Sequence, residues 1–139
     1  MDPSRSGDPI RVLIVEDHPG FRMVLRALLE SDERLIVLGD VGSAGEALEH
    51  ELLDDVDVAL VDIGLPGANG LEATKRLRQL NPAVRVLIMS GSGFDRAADD
   101  ALDAGAVAYL EKGALHEELI DAIVAAGAQG KAAAREPGT

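Results

Sequence analysis

Glu16 and Asp17, Asp62, Ser90 and Lys112 are the residues of this sequence whose types could do chemistry together: three carboxylates, a hydroxyl and an ammonium. Each follows a short apolar run. Ile10-Arg11-Val12-Leu13-Ile14-Val15 precedes the first pair, Val58-Ala59-Leu60-Val61 precedes Asp62, Val84-Arg85-Val86-Leu87-Ile88-Met89 precedes Ser90, and Ala106 to Leu110 precedes Glu111-Lys112. Gathered at one edge of a sheet, three acids repel one another. Two like charges about 4 Å apart cost on the order of 4 kcal/mol at an effective dielectric near 20, so the cluster demands a cation or raised pKa values. An all-oxygen donor set favours a hard divalent ion, and Mg2+, which binds through a few carboxylates plus phosphate oxygens, fits best. Lys112 and the Ser90 hydroxyl add a point charge and a hydrogen-bond donor on the other side of Asp62. Such a set suits phosphoryl transfer, in which negative charge spreads over three oxygens and the protein mainly positions the nucleophile and neutralises charge. Asp62 as nucleophile would form an aspartyl-phosphate, with Mg2+, Lys112 and Ser90 each taking one phosphoryl oxygen.

The elements that must position these groups follow from hydrophobic periodicity. Val58 to Val61, bounded by Asp57 and Asp62, is unbroken and apolar, as a strand of a parallel sheet buried on both faces requires. Pro66, Gly67, Asn69 and Gly70 then break regular structure. Ile10 to Val15 is the first strand, and Phe21, Val24, Leu25, Leu28 and Leu29 give one face of a helix over Pro19–Glu30, with proline tolerated in its first turn. Arg34 to Asp40 is a second strand; Ser43 with Glu46 forms a capping-box pattern for a helix reaching about Leu53. A third helix spans Gly70–Leu80 and stops at Asn81-Pro82; a fourth spans Asp95–Ala104 and closes on Gly105; a fifth spans Leu115–Ala126. Alternating strands and helices predict right-handed βαβ units and one parallel sheet with helices on both faces. The fold class is therefore α/β, and a flavodoxin-like doubly wound sheet of order 2-1-3-4-5 with five helices would set the first and third strands side by side, bringing the acids together where the winding reverses.

At 139 residues the chain is long enough for a single core and too short for a second module of useful size. Residues 1–9 read as a disordered leader, 10–126 as the folded domain, and 127–139 as a tail or a truncated linker to an output domain. Aromatics are scarce, which argues against a stacking platform for bases, and the formal net charge of −12 opposes binding to nucleic acid and anionic membranes by this chain itself. Cysteine is absent, so thiolate metal sites and disulfides are excluded, and with no membrane-spanning or signal-like run the expected location is the cytoplasm. Asp54, Asp55, Asp99 and Asp100 read as solvated surface, His18, His50 and His116 as surface or capping residues, and Phe21 and Phe94 as core or loop anchors.

The ordered set resembles the receiver domain of two-component response regulators: Glu16-Asp17, then Asp62 with Leu65-Pro66 and Gly70 behind it, then Ser90-Gly91, then Tyr109 three residues before Lys112-Gly113. Val15-Glu16-Asp17-His18-Pro19 and Lys112-Gly113-Ala114 are most similar to receivers of the LuxR/NarL-type class. The resemblance implies that Glu16 and Asp17 bind Mg2+ and that Asp62 accepts phosphate from a sensor histidine kinase. It further implies that the Gly64 carbonyl completes the metal site, and that Ser90 and Tyr109 form a switch pair acting on the surface of the fourth helix, fifth strand and fifth helix. A homodimer on phosphorylation, and DNA binding through an output domain absent here, follow from the same resemblance. Glu16 stands where the family commonly has Asp, Ser90 where it has Thr, and Gly64 and Ser92 are small where larger side chains usually flank the phosphate. Such a domain is not an enzyme in the ordinary sense, catalysing only its own phosphorylation and dephosphorylation. Two other readings compete: an aspartate-nucleophile phosphohydrolase, which would usually carry an acid where Gly64 stands, and a phosphorylation-independent binding module.

Overall fold

The computed structural model describes residues 8–65, 69–91, 95–112 and 116–134. Expectations for residues 1–7, Pro66, Gly67, Ser92, Gly93, Phe94, Gly113, Ala114, Leu115 and residues 135–139 lie outside them. Five strands, β1 (Ile10–Val15), β2 (Leu35–Val41), β3 (Val58–Asp62), β4 (Arg85–Ser90) and β5 (Ala108–Glu111), alternate with helices α1 (Pro19–Glu30), α2 (Ala44–Leu48), α3 (Gly70–Leu80), α4 (Asp95–Asp103) and α5 (His116–Ala134). The strands form one parallel sheet of order β2-β1-β3-β4-β5, as expected.

Residues alternating along each strand fill two cores. Ile10, Val12, Ile14, Leu60, Leu87 and Met89 pack under Leu25 and Leu29 of α1 and Leu119 and Ile123 of α5. Leu13, Val15, Ala59, Val61 and Ile88 pack on the opposite face under Ala44, Ala73, Leu77 and Ala101. Both faces of β3 are thereby buried, which is why its sequence is an apolar run rather than an alternation.

Three boundaries differ from the sequence expectation by two residues or more. The second helix ends at Leu48 instead of Leu53, and a separate 3-10 turn, Leu53–Asp55, follows. Local periodicity could not locate this break, because Leu53 and Val56 are buried beneath the sheet by the turn rather than by a continued helix. The fifth strand starts at Ala108 rather than Ala106, since Ala106 still belongs to the close of α4: Gly105, at φ +108°, donates to Leu102 O, and the Ala106 N–H bonds Ala101 O. The last helix continues to Ala134 rather than ending at Ala126. Residues 127–139 read as a tail or linker from their composition, yet Gly127 is buried where a Cβ would fall 2.6 Å from Ile10 Cδ1, so it serves close approach of α5 to β1, and the alanines beyond it favour helix.

Asn81, read only as a helix stop, is buried and ties the lower end of the fold together. Its Nδ2 donates to Leu53 O at 3.0 Å and Val56 O at 3.2 Å. Asn81→Ala removes both donors from buried carbonyls and is expected to cost about 2–3 kcal/mol, read as a fall in the denaturant midpoint at unchanged slope. A midpoint within error of the parent would show that water replaces the amide there.

Candidate phosphoacceptor site

The C-terminal ends of β1, β3, β4 and the residues after β5 meet at one edge of the sheet. β1 delivers Glu16, whose amide continues the ladder by donating to Val41 O at 2.9 Å. Its side chain turns inward and is fully buried, while Asp17 beside it is exposed. β3 delivers Asp62, also buried. Oxygens of Glu16, Asp17 and Asp62 lie within 4.8 Å of one another. Lys112 Nζ reaches between the two buried acids, 2.8 Å from Glu16 Oε1 and 3.4 Å from Asp62 Oδ1. Glu16 Oε2 accepts the His18 amide at 3.0 Å, whereas Oε1, despite its ion pair, is a buried oxygen that accepts no hydrogen bond among the described residues.

Electrostatics follow from this packing. Burial, then the neighbouring Glu16 charge, hold the Asp62 carboxyl above the usual range, and Lys112 and the Gly64 amide only partly offset them. Lys112 loses hydration on burial, which alone would lower its pKa. The close contact with Glu16 and the charges of Asp62 and Glu16 outweigh that and drive it up, so the ammonium is charged at neutral pH. Among the described residues three formal negative charges face one positive charge here, and an all-oxygen set with a buried oxygen lacking a hydrogen bond fits a hard divalent ion.

Ser90 ends β4, buried, and pairs in register with Glu111; Tyr109 lies on β5 beside Ile88 and packs, partly buried, against the core under α2, α3 and α4. Gly64 follows Asp62 closely enough for its amide to bond the carboxylate. All sequence-selected groups within the described residues thus fall at one end of the sheet. The bland readings also hold: Asp54, Asp55, Asp99 and Asp100 are exposed, His18 caps α1 by accepting the Phe21 amide on Nδ1 at 3.1 Å, and His50 Nδ1 accepts the Leu52 amide.

A second tier of residues was not legible beforehand. Arg22 donates to the Glu16 carbonyl at 2.9 Å and pairs with Asp40 at 3.1 Å, and Arg26 pairs with Asp40 as well. Asp40 can do this because β2 carries a register shift opposite Val12 and Leu13, which turns it onto the face of α1. Phe21 does join the core, as an anchor would, but its ring also lies under Lys112, with Nζ 4.7 Å from the centroid.

Comparison with known proteins decides the family. A family model described as the response regulator receiver domain matches residues 12–124. The chain belongs to the receiver-domain family. Among curated proteins, this receiver is 32% identical over 114 residues to the response regulator UvrY of Escherichia coli K12, covering 82% of this chain and 52% of that one. It is 37% identical over 119 residues to the DNA-binding transcriptional activator DevR/DosR of Mycobacterium tuberculosis, covering 86% and 55%. Among solved structures it is similar to a LuxR-family two-component response regulator from Aurantimonas sp. SI85-9A1, with TM-score 0.82 and 34% identity over 88% of this chain and 87% of that one. The receiver spans about half the length of the curated relatives it matches. These relatives support a LuxR/NarL-type receiver of a two-component response regulator.

Proposed function

We propose that this receiver takes a phosphoryl group from the phosphohistidine of a sensor kinase onto Asp62 in a Mg2+-dependent reaction. An Asp62 carboxylate oxygen forms the new bond to phosphorus as the phosphorus–nitrogen bond to the imidazole breaks; the imidazole leaves with a proton. The observation that carries the reading is a buried Asp62 carboxylate set between two further acids and the Lys112 ammonium. Glu16, Asp17, Asp62 and the Gly64 carbonyl would hold Mg2+, which when bound supplies positive charge to a phosphoryl oxygen. Lys112 neutralises a second oxygen, and the Ser90 hydroxyl donates to the third. Ser90, drawn to the phosphoryl group, frees space for Tyr109 to turn inward, and the surface of α4, β5 and α5 changes. That surface would serve homodimerisation and, with the DNA-binding relatives as support, control of transcription through an output domain. Among the described residues no helix is long and apolar enough to cross a membrane, and a cytoplasmic location is the natural setting for such a partner.

The test is incubation with a small acyl-phosphate donor and Mg2+, followed by intact mass measurement. One acid-labile phosphoryl group is expected on the parent chain and none on Asp62→Asn or with a chelator present. Multiple turnover without accumulation would favour a phosphohydrolase. Absence of labelling would leave the chain a phosphorylation-independent binding module.

A further inference from the structure

We propose that Phe21 is a positioning residue for Lys112: its ring face carries the ammonium so that the lysine stays aimed at Asp62 while the carboxylates are otherwise engaged. The inference rests on the phosphoacceptor reading of Asp62. Among the described residues Lys112 Nζ has two carboxylate partners, Glu16 and Asp62, and both belong to the acid cluster that suits a divalent ion. Whatever cation or phosphoryl group they meet competes for the oxygens that hold the ammonium. The Phe21 ring, 4.7 Å below Nζ, is a partner of another kind. Its quadrupole attracts a cation within about 6 Å of the centroid, yet it carries no net charge that would repel an incoming phosphoryl group and no lone pair for a metal.

The ring is fixed where it lies by local structure. The Phe21 amide is held by the His18 cap, Pro19 starts the helix, and the partly buried side chain packs against the core beneath α1 and α5. A leucine would keep an apolar side chain against that core but no ring face, so the aromatic face is the property to be tested. Among the described residues, the Phe21 ring is placed under the ammonium of the site.

The test compares Phe21→Leu, which keeps an apolar side chain, with Phe21→Tyr, which keeps the ring. The chain has three lysines, Lys75, Lys112 and Lys131, so their ε-methylene protons can be assigned by NMR without added metal. In the parent, the Lys112 ε-methylene is expected upfield of that of exposed Lys75 through the ring current, in Phe21→Tyr equally so, and in Phe21→Leu coincident with it. The limiting rate of labelling by the acyl-phosphate donor should fall about five-fold in Phe21→Leu and stay within about two-fold in Phe21→Tyr, the range a partly desolvated cation–π contact allows. A Lys112 methylene at the Lys75 position in the parent overturns the proposal, and so does a Phe21→Leu chain labelled at the parent rate. Failure of the parent itself to be labelled would instead overturn the phosphoacceptor reading, while the NMR comparison still reports on the contact.

Discussion

Replacing Gly70 with alanine is expected to destabilise the fold by about 3 kcal/mol, a fall of about 10 °C in the melting temperature, and to disturb the site as well. Helix propensity alone predicts the opposite sign, since alanine is favoured over glycine in a helix by up to about 1 kcal/mol. Sterics decide the matter. A Cβ at Gly70 would lie 2.5 Å from the Asp62 carbonyl oxygen, 2.6 Å from Ile63 Cα and 3.0 Å from the Asp62 carbonyl carbon. These are backbone atoms of the strand end that carries the acceptor, so no side-chain rotation relieves the contact. Relief would require α3 to lift from β3, losing the Gly70 amide bond to Ile63 O at 3.0 Å, or Asp62 to shift. Differential scanning calorimetry and the labelling assay check it together. An alanine variant as stable as the parent would mean that the close approach of α3 to β3 is wrong.

Lys112→Met is expected to cost about 2–3 kcal/mol of stability and to slow labelling of Asp62 by about 10²-fold. Removing one partner of a fully buried ion pair costs about 3–5 kcal/mol; the lower figure applies because the lysine side chain is 22% exposed whereas Glu16 is 0% exposed. The loss comes from leaving the Glu16 and Asp62 carboxylates buried without their cation. Two consequences distinguish this from simple loss of packing. Glu16→Gln in the Lys112→Met background should recover part of the stability, because the buried charge is gone, and a divalent salt should recover part of it in Lys112→Met alone. Denaturant melts of the four chains of this double-mutant cycle measure the coupling. Strictly additive effects would show that Lys112 and Glu16 do not depend on one another, against the 2.8 Å contact.

Much of the architecture could be read from residue order because β1, β3, β4 and β5 are largely apolar runs that end in or lead directly to a polar group, and the longer helices α1 and α3 repeat their apolar residues on one face. The acids and Lys112 were visible for the same reason: they stand at strand ends, where chain position alone says that they share an edge once the sheet is wound. Asn81 was legible only as a stop, since its partners Leu53 and Val56 are main-chain carbonyls brought near by tertiary folding. Asp40 was hidden by the register shift in β2, which no periodicity signals. The end of the last helix was not legible, because residues 127–139 have the composition of a linker, whereas Gly127 permits close packing on Ile10 and the helix runs on to Ala134.

The sequence by itself determined the α/β class, the parallel order of elements and the identity of the groups that cluster, because local propensity and burial pattern act over a few residues and are written along the chain. Only the tertiary structure decided that Glu16 rather than Asp17 is the buried acid, that Lys112 bridges Glu16 and Asp62, and that Phe21 lies beneath it. Those interactions depend on distances of a few ångströms between residues remote in sequence, and such distances exist only after the sheet has wound and its helices have packed.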